Sequence, residues 1–149
     1  MVTIRKLGIA WLTACFLAAS GAWAAEGPVL VFGGTAGIGL QTVRVLRERG
    51  IPVTVFVRPT SDRKPLEPLG VSFVVGDVLH AKDVAAAFEG RKFAAVISSL
   101  GGRFGEPRPE HIGNANINNA AKAAGVKRVI QISAINATSS DPPVIRKRR

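Results

Sequence analysis

The sequence predicts an α/β domain built on a doubly wound parallel sheet, and three observations carry that expectation. Short runs of β-branched and apolar residues alternate with segments of helical period. The runs are nearly continuous in apolar character, and glycine or proline punctuates the junctions. With 149 residues, 47% of them hydrophobic, the chain can bury a core as one domain.

The first expected strand is Val29–Phe32, followed by a helix that carries Leu40, Val43 and Leu46 on one face and ends at Gly50. Val53–Val57 is the second strand. Pro59, Pro65 and Pro68 interrupt the segment after it, so the second crossover is expected to be irregular or short. Val71–Val75 is the third strand, and a helix through Val84, Ala87 and Phe88 ends at Gly90. Phe93–Ile97 is the fourth, before a helix through Ile117, Ala120, Ala121 and Ala124 that ends at Gly125. Arg128–Ile132 is the fifth, with Gln131 as the polar interruption inside Val129–Ile132. Such runs suit strands covered on both faces, and strand–helix–strand repetition calls for parallel pairing through right-handed crossovers.

The two ends of the chain stand apart from this pattern. Arg5 and Lys6 precede an apolar run from Leu7 to Ala19, and Ala22-Trp23-Ala24 forms a small-x-small cleavage site, so residues 1–24 read as a secretory signal peptide. Export to a periplasm or to the outside is the consequence; an uncleaved segment would leave the chain cytoplasmic or membrane-anchored, and is the one feature that engages a membrane. Leu12-Thr13-Ala14-Cys15 resembles a lipoprotein box, but the residues after Cys15 stay apolar. Cys15 is the only cysteine, so cleavage leaves neither a disulfide framework nor a cysteine-based zinc site, and no metal is expected. At the other end, residues 138–149 hold Ser139-Ser140-Asp141-Pro142-Pro143 and a basic finish, and read as a disordered tail.

The formal charge of +10 shrinks once position is considered. Two positives lie in the leader and four are the last residues, leaving fourteen against ten acids, or +4. Aromatic residues are not interleaved with the basic ones and tyrosine is absent, which argues against a nucleic-acid partner.

The stretch Val29 to Leu46 concentrates glycine, at positions 33, 34, 37 and 39, between a strand and a helix. A chain turning sharply there needs positive φ angles and lets a ligand approach the backbone closely. The first turn of the following helix offers unpaired N–H donors and partial positive charge, which suit a pyrophosphate, while Gly39 lets helix and strand pack closely. A glycine string in this context points to a dinucleotide.

On these residues the chain resembles the short-chain dehydrogenase/reductase superfamily, nearest to its atypical, NmrA-like NAD(P)H-binding members. Gly33, Gly37 and Gly39 match the Gly-x-x-x-Gly-x-Gly spacing; the atypical Gly-x-x-Gly-x-x-Gly spacing would fall on Gly33, Ala36 and Gly39, with alanine in the middle. Ala120 to Ile130 followed by Ser133 resembles the fourth helix and fifth strand of these proteins, and Gly76-Asp77-Val78 resembles the end of their third strand. The resemblance implies a Rossmann-type domain over residues 25–137 with strand order 3-2-1-4-5, truncated on its C-terminal side. It also implies a cofactor site: Thr35 and Ile38 in the glycine turn with Gly33, Gly37 and Gly39, Asp77 and Val78 at the adenine, and Ser98, Ser99 and Leu100 near the ribose and nicotinamide.

Arg58 comes directly after the second strand, where NADH-preferring enzymes place an acid for the ribose 2′-hydroxyl, and Arg63 and Lys64 are nearby. A guanidinium complements a 2′-phosphate, so NADP(H) is expected in preference to NAD(H).

In the resembled reductases a Tyr and a Lys four residues on form the acid/base pair, and a Ser at the end of the fifth strand polarises the substrate. Ser133 occupies that Ser place. The sequence has no tyrosine and runs sixteen residues past Ser133, so the Tyr/Lys half is expected to be missing. Lys147 reads as part of a solvated tail, and His80 and His111 as surface residues. Three readings are open: a reductase that has lost its C-terminal half, a non-catalytic NADP(H)-sensing or partner-regulating module, or a remnant whose fifth strand is left as an open edge. The small-molecule substrate is not specified by any of these residues.

Overall fold

The computed structural model describes residues 27–101 and 109–133. The leader 1–24 and the tail 138–149 lie outside the described residues. The elements run β1 (Val29–Phe32), α1 (Gly37–Glu48), β2 (Val53–Val57), a single 3-10 turn (Glu67–Leu69), β3 (Ser72–Val75), α2 (Ala81–Ala86), β4 (Ala95–Ser98), α3 (Pro109–Ala123) and β5 (Val129–Gln131). All neighbours pair in parallel, in the order β3-β2-β1-β4-β5. This is the expected Rossmann-like α/β fold.

Alternation along the strands divides the core between the two faces of the sheet. Leu30, Phe32, Phe56 and Val96 meet Val84 and Phe88 of the α2 region and Ile117 and Ala121 of α3. Val29, Val31, Val53, Val55 and Ile97 face the other way, against Val43 of α1 and Leu66. Each fully buried large side chain contributes about 1.5–3 kcal/mol relative to exposure. Rings reinforce the first face: Phe32 and Phe56 are tilted with centroids 4.8 Å apart, and Phe88 meets Phe93 edge-on at 5.7 Å.

The outer strands depart from the expected double cover. β1, β2 and β4 are buried along their whole length, whereas β3 is partly exposed and β5 is exposed at all three residues. A sheet edge has one strand neighbour, and helices seated over the centre leave the margins open. Boundaries also shift. The fourth strand starts at Ala95 rather than Phe93, whose buried side chain belongs to the core without its backbone joining the ladder. The fifth shortens to Val129–Gln131.

Where prolines predicted an irregular crossover, the chain between β2 and β3 holds one 3-10 turn and is fixed by side chains instead. Leu66 is fully buried against the α1 side of the sheet. The guanidinium of Arg47 donates from Nε to the Leu69 carbonyl (2.8 Å) and from Nη1 to that of Ile51 (3.2 Å), tying the end of α1 to this segment. Gly50, Gly90 and Gly125 come after α1, the α2 region and α3 with φ of 72°, 65° and 71°, the left-handed conformation expected there. Among the described residues, no helix is long and apolar enough to cross a membrane.

Leu66 is therefore the residue through which an otherwise irregular segment joins the core. Leu66→Ala should lower stability by about 2–5 kcal/mol. Urea unfolding should show an earlier midpoint with an unchanged slope.

Candidate functional site

All five strands end on one edge: Phe32 pairs with Phe56 and Ser98, Val57 with Val75, and Ser98 with Gln131. The strand order reverses between β1 and β4, so the loops after these two strands diverge and leave a crevice, the place where open α/β sheets take ligands. Into this edge the fold brings the glycine turn, Arg58, Asp77, Val78, Ser98, Ser99 and Leu100, and Ser133 comes just past the end of β5.

The glycine turn is built by backbone contact. Gly33 has a φ of 75°, and a Cβ there would land on the carbonyl of Ser99 in the loop after β4. The Phe32 carbonyl also accepts from the Ser99 N–H at 2.9 Å, so the β1 and β4 ends are locked together. A Cβ at Gly39 would land on the carbonyl of Gly33. Glycine at 39 is thus what allows the first turn of α1 to sit on the loop it came from. Gly37 differs: its φ is 53° and a Cβ would meet nothing within 4 Å, so this part of the turn faces open space.

α1 starts without a cap. Ala36 precedes it with no side-chain hydrogen bond, and its first turn holds no acidic residue. The Leu40 N–H reaches the Ala36 carbonyl at 3.2 Å, while the N–H groups of Gly37, Ile38 and Gly39 have no hydrogen-bond partner among the described residues. Uncompensated donors at a helix N-terminus attract an anion. Ile38 is 63% exposed beside them, and Thr35 is half-buried within the turn.

At the β2 end, the Arg58 N–H donates to Ser61 Oγ (3.1 Å) and the Ser61 N–H to the Arg58 carbonyl (3.0 Å), a turn that fixes the backbone and leaves the arginine side chain exposed. Arg63 is placed differently, with its guanidinium 5.6 Å from the centroid of the Phe73 ring. Beyond β3, Asp83 Oδ2 accepts from the Asp77 N–H and Asp77 Oδ1 from the Leu79 N–H, both at 2.9 Å. Glycine at 76 is needed there, since a Cβ would lie 2.7 Å from the Phe56 ring and 2.8 Å from Asp83 Cβ. His80 is exposed, with Nδ1 3.6 Å from Asp83 Oδ2, and His111 is exposed on α3.

The two serines after β4 separate. Ser98 is 1% exposed and its hydroxyl donates to Asn114 Oδ1 of α3 at 2.6 Å, an internal link. Ser99 and Leu100 are half-buried in the loop above the crevice. Ser133 is exposed at the far end of the same edge, and the Ile132 N–H beside it donates to the Ser98 carbonyl at 2.9 Å.

α3 supplies residues that sequence reasoning passed over. Asn116 Nδ2 donates to the Val78 carbonyl at 2.8 Å. Gly113 faces Leu100 Cδ1 and Val78 Cγ2, where a Cβ would sit at 2.8 and 3.1 Å. The one signal in the sequence is the density of asparagine in Asn114, Asn116, Asn118 and Asn119, poor helix formers inside a helical pattern. A shallow hollow of about 310 Å³ starts beside the turn at Ile38 and runs along the outer face of α1 past Thr42 and Val45.

A family model described as NAD(P)H-binding matches residues 33–148. The NAD(P)H azoreductase of Xenophilus azovorans is 31% identical over 115 residues, which cover 76% of this chain and 38% of that protein. ChuY, an anaerobillin reductase from Escherichia coli O157:H7, superposes with a TM-score of 0.59 at 27% identity, over 72% of this chain and 50% of ChuY. The Bordetella bronchiseptica enzyme WbmG, solved in complex with NAD and UDP, superposes with a TM-score of 0.61 at 27% identity, over 69% of this chain and 36% of WbmG. The chain thus spans half or less of the length of these relatives. With an uncapped helix beneath a glycine turn at the sheet's switch point, the chain belongs to the NAD(P)H-binding family, within the superfamily of short-chain dehydrogenase/reductase-like proteins, and its cofactor is a nicotinamide dinucleotide.

Proposed function

We propose that this chain binds NADP(H), in preference to NAD(H), along the carboxyl edge of its sheet, as the cofactor-binding portion of an atypical, NmrA-like short-chain oxidoreductase. The observation that carries the reading is the first turn of α1, with three N–H donors unpartnered among the described residues, no acid, and open space beyond Gly37. There the pyrophosphate would lie over Gly33, Thr35, Gly37, Ile38 and Gly39. Arg58 would meet the 2′-phosphate, Asp77 and Val78 would border the adenine, and Ser99 and Leu100 would flank the nicotinamide side. Ser98, bonded to Asn114, would shape that wall rather than touch the cofactor.

The dinucleotide supplies hydride chemistry when bound. On the protein side, Ser133, exposed just past the end of β5, would polarise a substrate carbonyl. A second reading is a module that senses NADP(H) or regulates a partner without turnover. Cofactor oxidation with carbonyl or azo acceptors separates the two readings. We further propose that residues 1–24 direct export, for which an N-terminus at Ala25 in the processed chain is the expected result.

Arg58→Ala should weaken NADPH by about three- to tenfold and leave NADH nearly unchanged, as expected for a charge-assisted contact at an exposed site. Equal losses for both in calorimetric titration would remove the 2′-phosphate assignment. Gly37→Val places a β-branched side chain at positive φ, pointing into the space assigned to the phosphates. Binding of both nucleotides should disappear while far-UV helicity is retained; unchanged binding would leave the turn with a structural role alone.

A further inference from the structure

Asn116 sits in the interior of α3, where asparagine is a poor helix former, and its side chain bonds to a loop 38 residues earlier in the chain. The Val78 carbonyl that it satisfies lies beyond the end of β3, where the sheet ladder no longer supplies donors. Of the other hydrogen bonds on the same loop, Asp77 N–H to Asp83, Leu79 N–H to Asp77 Oδ1 and His80 N–H to the Asp77 carbonyl are local to the loop and α2, while Gly76 N–H to the Val57 carbonyl anchors only its start, at the end of β2. Asn116 therefore supplies the link that ties the part of the loop beyond Gly76 to α3. Gly113, one turn earlier on α3, makes the approach short enough, since a Cβ there would crowd Val78 and Leu100.

Resting on the cofactor reading above, we propose that Asn116 is a positioning residue: without touching the nucleotide, it holds the loop of residues 76–79 in the shape that receives the adenosine half. The polarity of the bond makes this specific. An amide donates to the Val78 carbonyl, whereas a carboxylate of the same shape would oppose it, oxygen to oxygen.

The test uses the full chain and calorimetric titration with NADPH, adenosine 2′,5′-bisphosphate and reduced nicotinamide mononucleotide. Asn116→Asp should weaken NADPH and the adenosine bisphosphate by the same factor, about tenfold, and leave the nicotinamide mononucleotide unchanged. Asn119→Asp adds the same charge at an exposed position of the same helix and should bind all three as the wild type does. Asn116→Ala removes the donor without adding charge, and carries the test where the aspartate variant does not fold. Equal losses for both fragments, equal losses in the Asn119 variant, or undiminished adenosine binding in both Asn116 variants would each overturn the role of Asn116. A wild-type chain that binds neither NADPH nor the adenosine bisphosphate would overturn the cofactor reading itself, and the positioning role with it.

Discussion

The architecture of the carboxyl edge depends on one close approach, the first turn of α1 seated on the loop that leads into it. Gly39 meets the carbonyl of Gly33, and Gly33 meets the carbonyl of Ser99, so three backbones stack where side chains would keep them apart. Backbones at that distance cannot yield as a flexible side chain yields, which makes the geometry nearly all-or-none. It sets the orientation of α1, the exposure of its first N–H groups and the union of the β1 and β4 loops at the switch point. Gly34 extends the same constraint into the core, because a Cβ there would lie 2.8 Å from Val55 Cγ1.

The features legible in the sequence are those that depend on local pattern. The buried centre, β1, β2 and β4, appears as continuous apolar runs because helices on both faces leave no solvent side to encode. The glycine turn is legible because its steric demand falls on residues within seven positions of one another. The edge strands are less legible: Val129 and Ile130 look like core residues but are 37% and 46% exposed, since apolar character alone does not distinguish the middle of a sheet from its margin. Phe93 misleads in the opposite direction, as a buried aromatic just outside the ladder. Asn114, Asn116 and Gly113 cannot be assigned from spacing at all. Their partners, Ser98, Val78 and Leu100, come from other elements, and only the tertiary fold brings them together.

Those three residues give α3 a role that its amphipathic pattern does not convey. Ile117 and Ala121 pack it on the sheet, as in any crossover helix, while its N-terminal half reaches the loops after both β3 and β4. A displacement of α3 would therefore act on both sides of the crevice at once. The glycine turn is different, since it is braced by backbone alone. The proposed site thus combines a rigid phosphate platform with flanking segments each tied to α3 by one side-chain hydrogen bond, and affinity should be more sensitive to α3 than stability is.

The basic residues after β2 show how the fold divides apparently equivalent charges. Arg58, Arg63 and Lys64 are close in sequence, and composition treats them alike. Arg63 lies over the Phe73 ring, where its guanidinium covers a half-buried edge strand and gains from the aromatic face. The backbone N–H of Lys64 is bound by Asp62, so the chain there turns on itself. Arg58 alone of the three comes directly after the last residue of β2, with a backbone fixed by Ser61 and an exposed side chain. Ordering that side chain costs up to about 2 kcal/mol of rotamer freedom, which a contact with neutral hydroxyls would not recover but a dianionic phosphate can. Discrimination between the two cofactors would then arise from the attraction missing with NAD(H) rather than from any clash, so the preference should be graded and should weaken as salt screens the pair.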